Sequence, residues 1–210
     1  MPYGYLGQTP NQQFKNSGVF SVGDAKALTD VGQLGGSLEL IQTQTYSSGV
    51  SVVDFNSIGS YDVHLFQYSN INEPTTSAGQ LGLRFSTDGG SNFATSGYQY
   101  AVQYGTVTAA FGENRSASDG QILLESVGAS GFEDLNGYCY IYNALTSSKY
   151  TFSTMQNINQ RTSDPITMRF GSGVQPTAQA VNAFRILSTK GGNFTSFNIS
   201  LYGVKELWVT

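Results

Sequence analysis

The chain has 210 residues, of which 14 are acidic and 10 basic, giving a net charge of −4 at pH 7. Only 11% of its residues are charged, whereas roughly 25% is typical of soluble domains. Ser, Thr, Asn and Gln together make up about a third of the chain instead. The absence of any basic run argues against binding to nucleic acid, and no apolar run is long enough for a membrane-spanning helix.

The N-terminal region differs in composition from the rest of the chain. Residues 1–20 are rich in Gly, Asn and Gln and show no periodicity, which predicts an extended arm. Residues 21–28 predict one short helix, because the first residue of this segment can cap the helix and Asp24 follows three residues later. We therefore expect an arm with a short helix over residues 1–36 and a single folded domain over residues 37–210.

From residue 37 onward, apolar and polar residues alternate in short segments that end at Gly, Asn, Asp or Ser. This pattern is typical of proteins built from many short strands. It predicts eleven strands, at residues 37–46, 50–55, 61–68, 80–87, 98–104, 121–127, 137–142, 150–156, 166–170, 181–188 and 194–202. Because no long helical segment separates them, we predict an all-β fold, an antiparallel β-sandwich of the jelly-roll type.

One turn signal predicts a specific strand pairing. Leu81, Leu83 and Phe85 alternate with polar or small residues, and the sequence Asp-Gly-Gly follows at residues 88–90. Asp-Gly is a favoured hairpin turn because both of its positions require a positive φ angle. We therefore expect residues 98–104 to return antiparallel beside residues 80–87.

Candidates for catalysis and metal binding are few. The chain has one His and one Cys, too few for a disulfide or for a zinc site with four nitrogen and sulfur ligands. His64 alternates with Val63 and Leu65, so we expect it to face solvent or an interface rather than to act as a general base. A glycosidase would need two suitably spaced carboxylates, and none of the dispersed candidates forms an obvious pair: Asp54, Asp62, Glu113, Asp119, Glu125, Glu133 and Asp134. We predict no enzymatic activity, no cofactor and no bound metal.

Two rows of tyrosines are the candidate binding residues. Each row lies on one face of a predicted strand, and the rows are Tyr98, Tyr100 and Tyr104, and Tyr138, Tyr140 and Tyr142. In the second row Cys139 and Ile141 share the opposite face, so the pattern allows either face to be buried. The tyrosines could fill the core, pack against another subunit or stack on sugar rings, since tyrosine combines a large contact area with a polar tip.

Five short motifs distributed along most of the chain carry a family resemblance. They are GYLGQTP at 4–10, NSGVFSVGD at 16–24, LGGSLELI at 34–41, YDVHLF at 61–66 and FNISLYGV at 197–204. Together they resemble a family of virion structural proteins of tailed phages, particularly phages of marine bacteria and cyanobacteria. The resemblance implies a non-enzymatic particle component, made in the host cytoplasm and located in the virion, of the kind labelled tail, tail-fibre or minor structural protein.

The sequence has no repeat that would form a fibre shaft, so several places in a particle remain open. We expect a tail, fibre or baseplate-associated subunit, with a capsid decoration protein or a host-surface carbohydrate-binding adhesin as alternatives. Its expected partners are other virion proteins, further copies of itself and possible host glycans, without nucleic-acid binding or membrane insertion. We expect the arm to make assembly contacts through Tyr3, Tyr5, Leu6, Gln8, Pro10 and Phe14.

Overall fold

The computed structural model describes residues 23, 26, 37–46, 49–73, 79–107, 111–127, 133–160 and 166–205. The chain divides into two compact units, Met1–Leu38 and Glu39–Thr210. The predicted arm lies outside the described residues. Of the predicted helix at 21–28, only Gly23 and Lys26 are described, and both have helical backbone. The fold that follows is that of the second unit.

The described chain is built from strands joined by turns and loops. The twelve strands are β1 Leu38–Tyr46, β2 Val52–Phe55, β3 Val63–Asn72, β4 Gly79–Ser86, β5 Tyr98–Thr106, β6 Gly112–Asp119, β7 Ile122–Val127, β8 Leu135–Tyr142, β9 Thr151–Asn159, β10 Thr167–Gln175, β11 Ala183–Ser188 and β12 Ser196–Val204. Eleven of them overlap the eleven predicted segments. The prediction of an all-β antiparallel sandwich is confirmed.

The strands form two sheets, which we call the large sheet and the small sheet. The large sheet has the order β1-β12-β3-β8-β9-β10-β5-β6, and the small sheet has the order β2-β11-β4-β7. The small sheet and the first four strands of the large sheet have the strand order of a jelly roll. The antiparallel pairs β9–β10 and β5–β6 are additions that extend the large sheet on one side.

Aromatic rings from both sheets fill the core of the sandwich. Phe184 of the small sheet packs edge to face against Phe66 of the large sheet and against Phe85, with ring centroids 5.6 and 5.8 Å apart. Phe55 and Tyr98 extend the same cluster, and all five side chains are buried. Edge-to-face pairs contribute about 0.5–1.5 kcal/mol each beyond the burial of their area. This aromatic cluster therefore contributes to the packing between the two sheets, together with the aliphatic residues of the core.

The predicted hairpin between residues 80–87 and 98–104 is wrong. β4 belongs to the small sheet, where it pairs with β11 and β7, whereas β5 belongs to the large sheet. Gly89 and Gly90 have positive φ angles of 73° and 89°, but Asp88, the first position of the expected turn, does not have a positive φ angle. The turn leads into a loop that crosses between the sheets, because β4 already has a partner on each side.

Strand β6 was not among the predicted segments. Its sequence, GENRSASD, has no apolar alternation because both of its faces are largely exposed. It pairs with β5 alone and forms one edge of the large sheet. Charged side chains such as Arg115 and Glu113, whose charged atoms lie 2.8 Å apart, are common on edge strands because they oppose unwanted pairing with other chains.

Candidate functional site

The outward surface of six strands of the large sheet, β12, β3, β8, β9, β10 and β5, is the candidate functional site, and we call it the outer face. Residues directly opposite each other in antiparallel strands point to the same side of a sheet, so the strand registers define this surface. None of its residues is charged, and the nearest charges on the same side of the sheet are Glu113 and Arg115 of the edge strand β6, opposite Gln103 and Ala101. The outer face consists of Val204, Val63, Tyr142, Phe152, Val174 and Gln99 in one row across the strands, Tyr202, Leu65, Tyr140, Thr154, Ser172 and Ala101 in the next, Ser200, Gln67, Tyr138, Gln156, Phe170 and Gln103 in the third, and Asn136, Ile158, Met168 and Gly105 beyond it.

The tyrosine row of β8 lies on this outer face. Cys139 and Ile141 are fully buried on the opposite side of the strand, which decides the alternative that the sequence left open. The Tyr138 hydroxyl donates to Gln156 Oε1 at 2.9 Å, and the Tyr142 hydroxyl lies 3.0 Å from Thr154 Oγ1. Both hydrogen bonds are made to side chains of β9, so they fix the Tyr138 and Tyr142 rings next to this neighbouring strand.

Large apolar side chains are exposed beside the tyrosines. Phe152 and Ile158 on β9 and Met168 and Phe170 on β10 are each between 43% and 51% exposed. All four lie on the β9–β10 pair that extends the jelly roll. The sequence did not single them out, because β9 carries apolar residues on both faces and its alternation therefore does not show which face is buried.

Shallow grooves flank these exposed side chains. A groove of about 670 Å³ runs between Phe152 and the β5–β6 edge and is lined by Ala101, Arg115 and Ser172, among others. A second groove, of about 400 Å³, lies on the other side of the tyrosine row, next to Leu65 and Gln67. The outer face thus has the relief of a surface into which partner side chains or a ligand can insert.

The other predicted row, Tyr98, Tyr100 and Tyr104, points into the sandwich. Tyr98 is fully buried and its hydroxyl oxygen accepts the Phe85 N–H at 2.7 Å, and burial raises the pKa of Tyr98 to about 12. Tyr100 donates to Asp119 Oδ2 at 3.2 Å, and the Tyr104 ring lies 5.4 Å from the Arg169 guanidinium carbon. Tyr98 therefore belongs to the interior of the domain, and Tyr100 and Tyr104 are half-buried on the same side of β5.

An ion pair lies in the interior beneath the β9–β10 extension. Arg169 Nε of β10 is 3.2 Å from Glu125 Oε1 of β7, and both side chains are almost completely buried. Next to Glu125 along β7, the Leu124 carbonyl accepts a hydrogen bond from Asn157 Nδ2 of β9 at 2.9 Å. These contacts connect the extension of the large sheet to the edge strand of the small sheet. Glu125, one of the candidate glycosidase carboxylates, is therefore paired with an arginine inside the fold.

His64 does not face solvent or an interface, so that prediction is wrong. Its side chain is fully buried, and its ring packs edge to face against Phe184 at 5.3 Å. Nε2 lies 2.8 Å from the Ile58 carbonyl oxygen, so this nitrogen carries the proton that is donated. Burial lowers the pKa of His64, which keeps the ring neutral at pH 7. The residue points inward because it shares a strand face with Phe66 and Tyr68, which fill the core.

The outward surface of the small sheet has a different character. Arg185 makes two hydrogen bonds to the Asp54 carboxylate, at 2.6 and 2.7 Å, and its guanidinium group lies 4.1 Å from the Phe93 ring centroid. Arg84 on the adjacent strand donates to the Gly120 carbonyl at 2.8 Å and to Gln121 Oε1 at 3.0 Å. The small sheet therefore carries charged side chains on its outward surface, whereas the six strands of the outer face carry none.

Three further expectations concern the arm contacts, metal binding and membrane-spanning helices. The predicted arm contacts from Tyr3 to Phe14 lie outside the described residues. Among the residues that the structure describes, no group of three or more His, Cys, Asp or Glu side chains is placed to hold a metal ion. In the same part of the chain, no helix has the length and apolarity needed to cross a bilayer.

Comparisons with models of protein families, with curated proteins and with solved structures gave no significant match.

Proposed function

We propose that this protein is a non-enzymatic structural subunit of a phage virion, associated with the tail, tail fibre or baseplate, and that it acts through assembly contacts. The observation that carries the proposal is the contrast between the outer face, which is uncharged and exposes large apolar side chains, and the charged surface of the small sheet. The motifs that resemble virion proteins of tailed phages support the placement in a particle. A decoration protein of the capsid would use the same surface and is the alternative placement.

The chemistry of the outer face favours burial against protein. Full burial of a Phe, Ile or Met side chain contributes roughly 1.5–3 kcal/mol relative to leaving it exposed, and Phe152, Ile158, Met168 and Phe170 are each about half exposed. Burying a charge without a partner costs several kcal/mol, and the outer face contains no charge. Contact with another protein surface would therefore gain apolar burial without this penalty.

Incorporation into phage particles tests the proposal. Tagged wild-type chain, Phe170→Lys and Val52→Lys are supplied during infection by the phage that encodes the protein, and purified particles are analysed by mass spectrometry. Val52 is the matched control because it is 39% exposed on the small sheet, against 43% for Phe170 on the outer face. We expect the wild type and Val52→Lys in particles and a loss of at least about tenfold for Phe170→Lys. Absence of the wild-type chain from particles contradicts the proposal.

A deletion tests the arm separately. A chain without residues 1–20 should fold but fail to enter particles if the arm makes assembly contacts, as its composition predicts. Normal incorporation of the shortened chain would limit the assembly contacts to the domain.

The tyrosine row favours a second candidate function, a carbohydrate-binding adhesin. Tyr138, Tyr140 and Tyr142 form a row with ring centroids 5.8 and 6.3 Å apart, and hydroxyl bonds to β9 fix two of these rings. Fixed aromatic rings beside a groove can stack on neutral sugars. Titration with the host's surface polysaccharide tests this function, with Tyr140→Ala as the variant and Tyr150→Ala, at an exposed tyrosine outside the row, as the control. Lack of binding at millimolar saccharide, which means a binding free energy weaker than about −4 kcal/mol, contradicts this function.

A further inference from the structure

We infer that the outer face is the contact between two copies of this chain, which pack large sheet against large sheet around a twofold axis. The inference rests on the proposed function for its setting, an assembly of subunits. It adds the identity of the partner and the geometry of the contact.

The side-chain chemistry of the outer face suits contact with itself. Around a twofold axis the same patch meets its own copy, so that a charged residue near the axis would face a like charge. The polar groups of the outer face are hydroxyls and amides such as Thr154, Ser172 and Gln156, which both donate and accept hydrogen bonds. Such groups can pair with copies of themselves, and the apolar side chains of β9 and β10 need only another apolar surface.

The extent of the outer face approaches that of a stable dimer. Six strands spaced about 4.8 Å apart, four presenting residues over about 20 Å and two over about 13 Å, cover roughly 500 Å² in projection. Side-chain relief raises the accessible area above this value, toward the roughly 800 Å² per partner that is usual for specific complexes. Sheets in such contacts pack about 10 Å apart, with interdigitating side chains, as in the interior of a sandwich.

The remaining described surfaces are less suited to the same contact. A copy-to-copy contact through the small sheet would bring Asp54, Arg84 and Arg185 toward their own copies. Charged pairs also lie at the two edges of the large sheet, Glu113 with Arg115 at the β6 edge and Glu39 with Lys205 at the β1 edge. These charges surround the outer face in the manner of the polar rim of an interface.

Sedimentation of the full-length chain tests the inference. We expect the wild type to have twice the mass of one chain, with dissociation on dilution. Phe170→Lys places a charge in the outer face and should weaken the association at least about 100-fold, whereas Val52→Lys should sediment as the wild type does. Circular dichroism of each variant establishes that the fold is retained, which is expected because both side chains are partly exposed.

Thiol labelling gives an independent measurement. Cys139 is the only cysteine, it is buried, and burial raises the pKa of its thiol to about 12, so the folded wild type should label very slowly. A cysteine introduced by Ser172→Cys should label at least about tenfold more slowly at concentrations that favour association than after dilution. The Val52→Cys control should label at the same rate under both conditions.

Each outcome decides the inference. A monomeric wild type overturns it, as does an oligomer that Phe170→Lys leaves intact or Ser172→Cys labelling that does not depend on concentration. Loss of the oligomer on deletion of residues 1–20 but not with Phe170→Lys would place the contact on the arm instead. If the protein is a monomer that enters particles, the proposed function is supported and the dimer inference is wrong. If it is a dimer that is absent from particles, the dimer inference is supported and the proposed function is wrong.

Discussion

At the scale of single residues, burial sets the protonation state of the ionisable side chains inside the sandwich. It lowers the pKa of His64 and raises the pKa of Glu73, which favours the neutral form of both groups. Glu125, in contrast, forms an ion pair with the guanidinium group of Arg169. His64 and Glu73 are thus shifted toward their neutral forms, whereas Glu125 is paired, and both arrangements have measurable consequences.

The first consequence is a pH dependence of stability from His64. Because its folded pKa lies below the unfolded value of 6.5, the unfolded chain binds the proton first as the pH falls. The contribution of neutral His64 to the free energy of unfolding is fully present above about pH 6.5. It decreases as the pH falls toward the folded pKa, by at most about 1.4 kcal/mol per pH unit. We expect the free energy of unfolding of the wild type, minus that of His64→Gln, to decrease as the pH is lowered from 8 to 5.

Glutamine is the appropriate replacement because its amide can donate to the Ile58 carbonyl without titrating. The carboxylates of the domain are the same in both proteins, so their contributions largely cancel in the difference. Parallel stability curves for the two proteins would show that His64 titrates normally in the folded state.

The second consequence concerns the buried pair of Glu125 and Arg169. Removing one partner leaves an uncompensated charge in the interior, so Arg169→Met and Glu125→Gln should each destabilise the domain, the former by about 3–5 kcal/mol. The double variant should lose clearly less than the sum of the single losses. Urea unfolding of the four proteins measures this coupling, and strictly additive losses would contradict it.

At the scale of elements, β10 shows how neighbouring strands extend a strand beyond its sequence signal. The predicted segment ended at residue 170, before Gly171 and Gly173, whereas the strand continues to Gln175. It does so because β9 and β5 pair with it along both sides. The glycines also have a packing role, since a Cβ on Gly173 would lie 2.5 Å from Ile122 Cγ2 of β7.

This close approach predicts that Gly173→Ala destabilises the domain. The added methyl group would overlap a buried, branched side chain, and overpacking of this kind typically costs about 1–3 kcal/mol. The outward neighbour Ser172 provides the control, because Ser172→Ala adds no atom to the interior. We expect thermal unfolding to shift down for Gly173→Ala and to change little for Ser172→Ala. Equal unfolding temperatures for Gly173→Ala and the wild type would refute the packing role.

At the scale of the whole domain, the two additions to the jelly roll create most of the outer face. A compact jelly roll is complete with the small sheet and four strands of the large sheet. The pairs β9–β10 and β5–β6 widen the large sheet, and β9–β10 carries the four most exposed large apolar side chains of the outer face. The feature that distinguishes this sandwich from a minimal one is thus the surface that we propose for assembly.

The folded domain should not depend on residues 1–20. Among the residues that the structure describes, the core cluster lies between Val53 and Leu201, with Ile41 and Val50 packed against it. We expect deletion of residues 1–20 to change the unfolding temperature by less than about 2 °C, because the described core is built from residues further along the chain. Differential scanning calorimetry measures this. A decrease of more than about 5 °C, roughly 2 kcal/mol, would mean that the arm contributes to domain stability.

The sequence by itself determined the positions of eleven strands and the class of the fold. Alternation of apolar and polar residues is a local property, because one strand exposes its two faces to different surroundings wherever it lies. Tertiary structure alone decided that β4 and β5 join different sheets, that His64 and Tyr98 point inward and that Tyr138 points outward. It also decided that the polar segment Gly112–Asp119 is a strand. These features depend on pairing and packing between strands far apart in the sequence, and the local pattern is the same whichever partner or face is chosen.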